Sequence, residues 1–201
     1  DRIYYLATSF NFFPGIVQAL KKEGLKMQKD IFSKISFEKP FGNDLQSSDI
    51  LDKEIHKMFL ENNVYRIDHY LAKETVQNLN VLKFTNPILY GSFGNRAIES
   101  IDIIVDEDLG VGKRIEYYNK VGALKDMIQS HLLQVLSLLL MERPESLKPN
   151  HIHDKKVVVL KNLQVLPYNE HLFGQYNNYA RELRSYGLKK STCETFVRIA
   201  L

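Results

Sequence analysis

Ile31-Phe32-Ser33-Lys34-Ile35-Ser36-Phe37-Glu38-Lys39-Pro40 carries the pattern from which the fold class follows. Ile31, Ser33, Ile35 and Phe37 fall on one face of an extended chain, because successive side chains of a strand point to opposite sides. Pro40 ends the pattern, having no N–H to give to a ladder. Upstream, Ile3–Ala7 reads as an earlier buried strand and Phe13–Lys22 as the helix between the two, with Gly24 as its stop signal. Downstream, Asn43 or Asp44 is placed to cap a helix whose Leu51, Ile55, Met58 and Phe59 recur at helical spacing. Val64–Ile67 is the third strand. Strands alternating with helices in this order make a parallel sheet joined by crossovers, so an α/β fold is expected up to Asp68.

Beyond Asp68 the character changes. Val76, Leu79 and Leu82 predict a short amphipathic helix over Lys73–Phe84, and the alternation of Ile101, Ile103 and Val105 predicts a strand. A long helix is expected over Ala123–Met141, with Met127, Leu132, Val135, Leu136 and Leu139 on its apolar side and Pro144 closing it. Lys155–Leu163 stays open: Val157-Val158-Val159 favours a strand, while length and spacing permit a helix. Pro, Gly, Asn and Tyr in 167–187 predict a long surface connection. Asp1–Ala7 reads as a buried strand, and Thr195–Leu201 stops within an alternating pattern, so the sequence reads as a piece of a longer polypeptide.

The 201 residues are 44% hydrophobic and 25% charged, an ordinary globular composition able to bury a core. A net charge of +3 suits an anionic small molecule, and the interleaving of basic with acidic residues argues against a nucleic-acid-binding face. Cys193 is the single cysteine, so no internal disulfide forms and a reducing, cytoplasmic setting is expected. Leu132–Met141, the longest apolar stretch, is too short to cross a bilayer. His151-Ile152-His153 lacks the supporting cluster a metal site needs, so no metal is expected. Gly110-Val111-Gly112 has neither the third glycine nor the strand context of a dinucleotide loop.

Two segments fall where ligands bind in open parallel sheets, at carboxyl ends of strands. Lys39, in Glu38-Lys39-Pro40-Phe41-Gly42, can reach a ligand oxygen, or can simply be a solvated turn lysine. In Arg66-Ile67-Asp68-His69-Tyr70-Leu71-Ala72-Lys73-Glu74, the donors His69, Tyr70 and Lys73 stand beside a helix start, where free N–H groups favour an anion. A phosphate cradle and an ordinary capped helix start fit that spacing equally. His131 lies on the long helix with no local carboxylate to orient it, since Asp126, five residues earlier, is expected on another face. Asp68 is one available partner.

These same segments resemble the two hallmark stretches of glucose-6-phosphate dehydrogenases. Asn95-Arg96, Glu107, Asp126-Met127-Ile128-Gln129-Ser130-His131-Leu132-Leu133-Gln134 and Glu194-Thr195-Phe196-Val197 continue the resemblance in order. It spans essentially the whole chain, which is well under half of a usual family member. Ala72 stands where the family usually has glycine, Ser9-Phe10 where Pro-Pro is common, and Gly94 where tryptophan often precedes Asn95-Arg96. Residues 112–117 depart from a glycine-rich family stretch.

The resemblance implies α/β plus α+β architecture: a partial Rossmann-type parallel sheet over 1–68, then part of an antiparallel-sheet-plus-helix domain over 69–201. It also implies a helix at 155–163. By the same resemblance the parent polypeptide oxidises D-glucose 6-phosphate at C1 to 6-phospho-D-glucono-1,5-lactone with hydride transfer to NADP, NAD being the other candidate, and assembles as a homodimer or higher homo-oligomer. His131 would be the general base and Asp68 its polarising partner. His69, Tyr70 and Lys73 would hold the phosphate, Glu107 and Asp126 the ring hydroxyls. Lys39 would lie between substrate and nicotinamide, with Pro40 orienting the coenzyme. Lacking the family's N-terminal glycine-rich loop and its later basic substrate loop, the 201 residues alone are expected to turn over negligibly. The competing expectation is a catalytically inactive sugar-phosphate-binding relative or scaffold.

Overall fold

The computed structural model describes residues 2–24, 33–42, 44–94 and 96–201. Ile31, Phe32, Asn43 and Asn95 lie outside the described residues. The chain forms two compact units, Asp1–His69 and Tyr70–Leu201.

In the first unit, strands β1 (Arg2–Leu6), β2 (Ser33–Glu38) and β3 (Val64–Ile67) form a parallel sheet in the order β1-β2-β3. Tyr4 pairs with Ile35, and Ile35 with Val64. Helices α1 (Phe13–Lys22) and α2 (Leu45–His56) make the crossovers that parallel pairing requires. Phe13 and Val17 of α1 and Leu51 and Ile55 of α2 bury against Leu6, Ile35, Phe37 and Val64. The Phe13 and Phe37 rings meet edge to face at 5.1 Å. Asp44 caps α2: its Oδ1 accepts from the Ser47 N–H at 2.7 Å, and Ser47 Oγ accepts from the Asp44 N–H at 3.1 Å. β1 is less buried than its sequence suggests. Only its Tyr4 and Leu6 face the core; Ile3 and Tyr5 point to the other face, and Ile3 is 73% exposed.

In the second unit, α3 (Glu74–Thr85) and α4 (Pro87–Tyr90) are followed by α5 (Ile115–Ala123), a π-helical segment (Leu124–Leu132), α6 (Leu133–Leu140) and α7 (Pro149–Asn162). The expected long helix therefore exists as α6 and the π-helical stretch ahead of it. Residues 155–163, open on propensity, are helical to Asn162, because packing against α6 overrides the β preference of three valines. β4 (Leu172–Gly174) pairs antiparallel with β5 (Phe196–Arg198), Phe173 opposite Val197.

Two expectations are corrected here. Ile101–Val105 forms no strand, and among the described residues of this unit only β4 and β5 pair. Residues 167–187 are no mere surface connection: they contain β4 and the helix α8 (Tyr179–Ser185), whose Tyr179 and Leu183 are fully buried against Ile115.

An ion cluster ties α2 to the start of β3. His56 Nδ1 is 2.8 Å from the Asp52 carbonyl oxygen and Nε2 2.7 Å from Glu61 Oε2, while Arg66 donates to Glu61 Oε1 at 2.8 Å. The Asp52 carbonyl above all, then the Glu61 carboxylate, raises the His56 pKa above its ordinary 6.5 against the opposing effect of burial. A raised folded value means the contribution of protonated His56 is complete below pH 6.5 and fades as pH climbs through the folded value. In the polypeptide completed to its relatives' length, His56→Gln should lower the thermal midpoint most below pH 6.5, the gap closing at higher pH. A gap independent of pH would contradict the assignment.

Candidate active site

The segments singled out in the first unit emerge side by side. Glu38, the last residue of β2, pairs with Ile67, the last of β3, so Lys39-Pro40 and Asp68-His69 leave the sheet at the same edge. The Lys39–Pro40 peptide bond is cis. Gly42 follows with φ 147, and a Cβ there would sit 2.8 Å from the Ser48 nitrogen, so only glycine lets the turn approach α2 this closely. Glu38 contributes a contact that pattern alone did not reveal. Its carboxylate accepts from the Tyr5 hydroxyl and lies 3.0 Å from Nε2 of the exposed His69. Lys39, Pro40 and Asp68 are half-buried.

In the second unit, Tyr70, Lys73 and His131 come together. The Tyr70 ring stacks on the imidazole of His131 with centroids 4.4 Å apart and planes inclined by 23°. Lys73 Nζ lies over the same Tyr70 ring, 3.9 Å from its centroid. His131 is 3% exposed although it sits on a helix rich in leucine. It is thus a buried histidine with an aromatic platform.

Asp126 is buried as well, and the expectation that it lies on another face from His131 needs correction. On an α-helix of 3.6 residues per turn, residues five apart diverge by about 140°. Leu124–Leu132 is π-helical, closing its hydrogen bonds five residues apart, and the wider turn brings such residues nearer alignment. Asp126 receives Arg114 Nη2 at 3.4 Å. Burial first, then the Asp126 charge, raises the pKa of Tyr117, which also hydrogen-bonds that carboxylate. Arg114 falls in the stretch that departs from the family pattern, and nothing in its spacing announced the contact. Glu182 of α8 holds this stretch, accepting from the Gly112 N–H at 2.5 Å and from the Tyr176 hydroxyl. Burial and that second bond push the Tyr176 pKa up to about 12.

Glu107 is exposed, yet it and Asp126 line one cavity of about 1670 Å³, walled also by Arg114, Tyr118, Leu136 and Val197. Among the described residues no group of acidic, histidine or cysteine side chains is arranged to hold a metal ion, and no helix is long and apolar enough to cross a membrane.

The family model "Glucose-6-phosphate dehydrogenase, NAD binding domain" matches residues 1–78, and "Glucose-6-phosphate dehydrogenase, C-terminal domain" matches residues 80–201. The chain belongs to the glucose-6-phosphate dehydrogenase family. It is 48% identical over 164 residues to the glucose-6-phosphate 1-dehydrogenase of Borreliella burgdorferi, covering 82% of this chain and 34% of that protein. Identity to the Bacillus subtilis enzyme of the same name is 44% over 170 residues, covering 85% of this chain and 35% of that one. A solved glucose-6-phosphate dehydrogenase in complex with its substrate glucose-6-phosphate superposes with a TM-score of 0.88 at 36% identity, covering 98% of this chain and 42% of that one. The chain thus spans about a third of the length of these curated relatives. Residues 1–78 thus correspond to the family's NAD binding domain and residues 80–201 to its C-terminal domain.

Helix α3 is joined to the end of α6 by a buried lysine. Lys83 of α3 donates to the carbonyl oxygens of Leu139 at 2.7 Å and Met141 at 2.6 Å, satisfying groups that the end of α6 leaves unpaired. Lys83 is therefore buried where the apolar pattern favours Leu82, which is 46% exposed. Burial lowers the Lys83 pKa. Lys83→Met in the completed polypeptide strands both carbonyls and should cost about 1–3 kcal/mol. Urea unfolding measures it, and an unshifted midpoint would show that the carbonyls find other donors.

Proposed function

We propose that the polypeptide to which this chain belongs oxidises glucose 6-phosphate at C1 to the 1,5-lactone, with NADP as hydride acceptor. The observation that carries this reading is the stack of Tyr70 on His131 with Lys73 over the same tyrosine. It sets an ammonium and a phenol suited to a phosphate beside a buried imidazole suited to a proton. His131 removes the proton from the C1 hydroxyl as the C1–H bond breaks. Asp68, which the family resemblance pairs with His131, fixes its tautomer and stabilises the imidazolium. His69, Tyr70 and Lys73 bind the phosphate; Glu107 and Asp126 bind ring hydroxyls, and Arg114 holds the Asp126 carboxylate in place.

Residues 1–68 serve as the later part of the coenzyme domain and 69–201 as the early part of the substrate domain. Lys39 and Pro40 suit a nicotinamide coenzyme, standing at carboxyl ends of parallel strands in a turn that Gly42 keeps free of side-chain bulk. When bound, the coenzyme supplies the hydride acceptor. NADP rather than NAD, a cytoplasmic location and a homodimer or higher oligomer complete the proposal, which rates with each coenzyme and sedimentation of the completed polypeptide test directly.

Lys73→Ala in the completed polypeptide should weaken glucose 6-phosphate relative to free glucose. A charge-assisted hydrogen bond of about 1.5–3 kcal/mol corresponds to a loss of roughly 10- to 150-fold in apparent affinity. An unchanged preference for the phosphorylated sugar would remove Lys73 from the cradle.

His131→Asn keeps similar shape but accepts no proton at neutral pH, so kcat should fall by about 10²–10⁴-fold with little change in sugar-phosphate binding. Asp68→Asn should also lower kcat. If the two act as a unit, the double variant is far less impaired than the product of the single losses. Steady-state kinetics on the four proteins decides. Sugar-phosphate binding without turnover in the parent would instead make the protein an inactive binding relative.

A further inference from the structure

The π-helical segment that carries Asp126 and His131 has a sharply defined start. Gly122, just ahead of it, has φ 72 and ψ 173, a conformation closed to most side chains. A Cβ at Gly122 would lie 2.3 Å from Glu194 Oε1 and 2.7 Å from Oε2, so the turn and that carboxylate occupy adjoining space with no room between them. Glu194 uses the proximity twice. Its main-chain carbonyl accepts from the Ala123 N–H at 3.0 Å, and its Oε1 accepts from the Leu124 N–H at 3.0 Å. These are first-turn N–H groups that a helix cannot satisfy internally, and a carboxylate is favoured at that end by the helix dipole. Glu194 is itself held, for the neighbouring Thr195 N–H donates to the Gly174 carbonyl at 2.9 Å in the β4–β5 ribbon. A residue distant in sequence thus braces the ribbon against the start of the helix.

We infer that Glu194 is a positioning residue for the reaction, setting the point at which the π-helical segment begins and so the direction in which Asp126 and His131 are presented. The inference rests on the reading of His131 as the base. Its physical basis is the width of the turn. A π-helical stretch is an uncommon state, and one that relaxes toward the α-helical turn swings residues five apart away from each other. Pinning the first N–H groups to an external acceptor opposes that relaxation. Gly122 belongs to the device, because any side chain there meets the carboxylate that does the pinning.

The test is made in the polypeptide completed to its relatives' length, with Glu194→Ala, Glu194→Gln, Gly122→Ala, the Gly122→Ala/Glu194→Ala double variant and His131→Asn compared in parallel. Glu194→Ala should lower kcat by about 10- to 100-fold, the scale of a catalytic group displaced by roughly an ångström. The preference for phosphorylated over free sugar, set by Tyr70 and Lys73, should persist, which a general loss of structure would not allow. Glu194→Gln, whose amide oxygen still accepts from Leu124, should recover most of kcat. Gly122→Ala should lower kcat on its own, and adding Glu194→Ala should cost less than the product of the two losses, since both disturb one contact. A kcat for Glu194→Ala within about twofold of the parent, while His131→Asn is inactive, overturns the inference and leaves the base assignment intact. Near-normal turnover in His131→Asn overturns the functional reading instead. Should Glu194→Ala not fold, Gly122→Ala decides, with unimpaired kcat counting against the inference.

Discussion

The parallel pairing of β2 with both neighbours constrains the geometry of the first unit. Parallel strands cannot be joined by a tight turn, so each must be reached through a crossover, and all carboxyl ends open on one edge. Glu38 and Ile67 close that ladder together, and Lys39-Pro40 and Asp68-His69 therefore leave the sheet as neighbours although far apart in sequence. Gly42 lets the first of these turns press against α2, and Glu38 reaches across to His69. The polar groups at this edge are a consequence of strand direction.

In the second unit the organising feature is burial of polar groups among apolar helices. Asp126, His131 and Lys83 are each nearly inaccessible, and burying such groups is costly without partners. Each has one: Arg114 and Tyr117 for Asp126, Tyr70 for His131, and the carbonyls at the end of α6 for Lys83. The partners come from the end of α6, from the 112–117 stretch and from the segment leading into α3. Tertiary packing thus gives residues that look misplaced on apolar helices a hydrogen-bonded, ion-paired or stacked partner. The geometry accounts for how so many polar atoms are tolerated there.

Local pattern reported much of this faithfully. The alternation through Phe37, the helical recurrence of Leu51 and Ile55 and the capping role open to Asp44 all reflect interactions within a few residues or across one sheet face. The motif segments at Lys39 and at Asp68–Lys73 were legible for the same reason: strand ends and helix starts advertise themselves in turn and cap residues. Patterns failed where a partner elsewhere in the chain decided the outcome. Ile101–Val105 alternates as a strand should, but alternation supplies no neighbour to pair with. Val157-Val158-Val159 prefers a strand in isolation, yet contact with α6 makes it helical. Tyr179 reads as a loop residue until α8 closes over Ile115.

What the sequence determined by itself was therefore the order of elements in the first unit, the parallel character of its sheet, the family and the residue types at its strand ends. These depend on periodicity, backbone preference and local motifs, all of them short-range. Only the tertiary structure decided that Asp126 and His131 share a widened helical turn, that Tyr70 stacks on the histidine, and that Arg114, Lys83 and Glu194 supply the contacts that hold the surrounding helices. A helix's pitch and a buried group's partner are set by what packs against them, and those neighbours lie beyond the reach of local pattern, from about ten to seventy residues away along the chain.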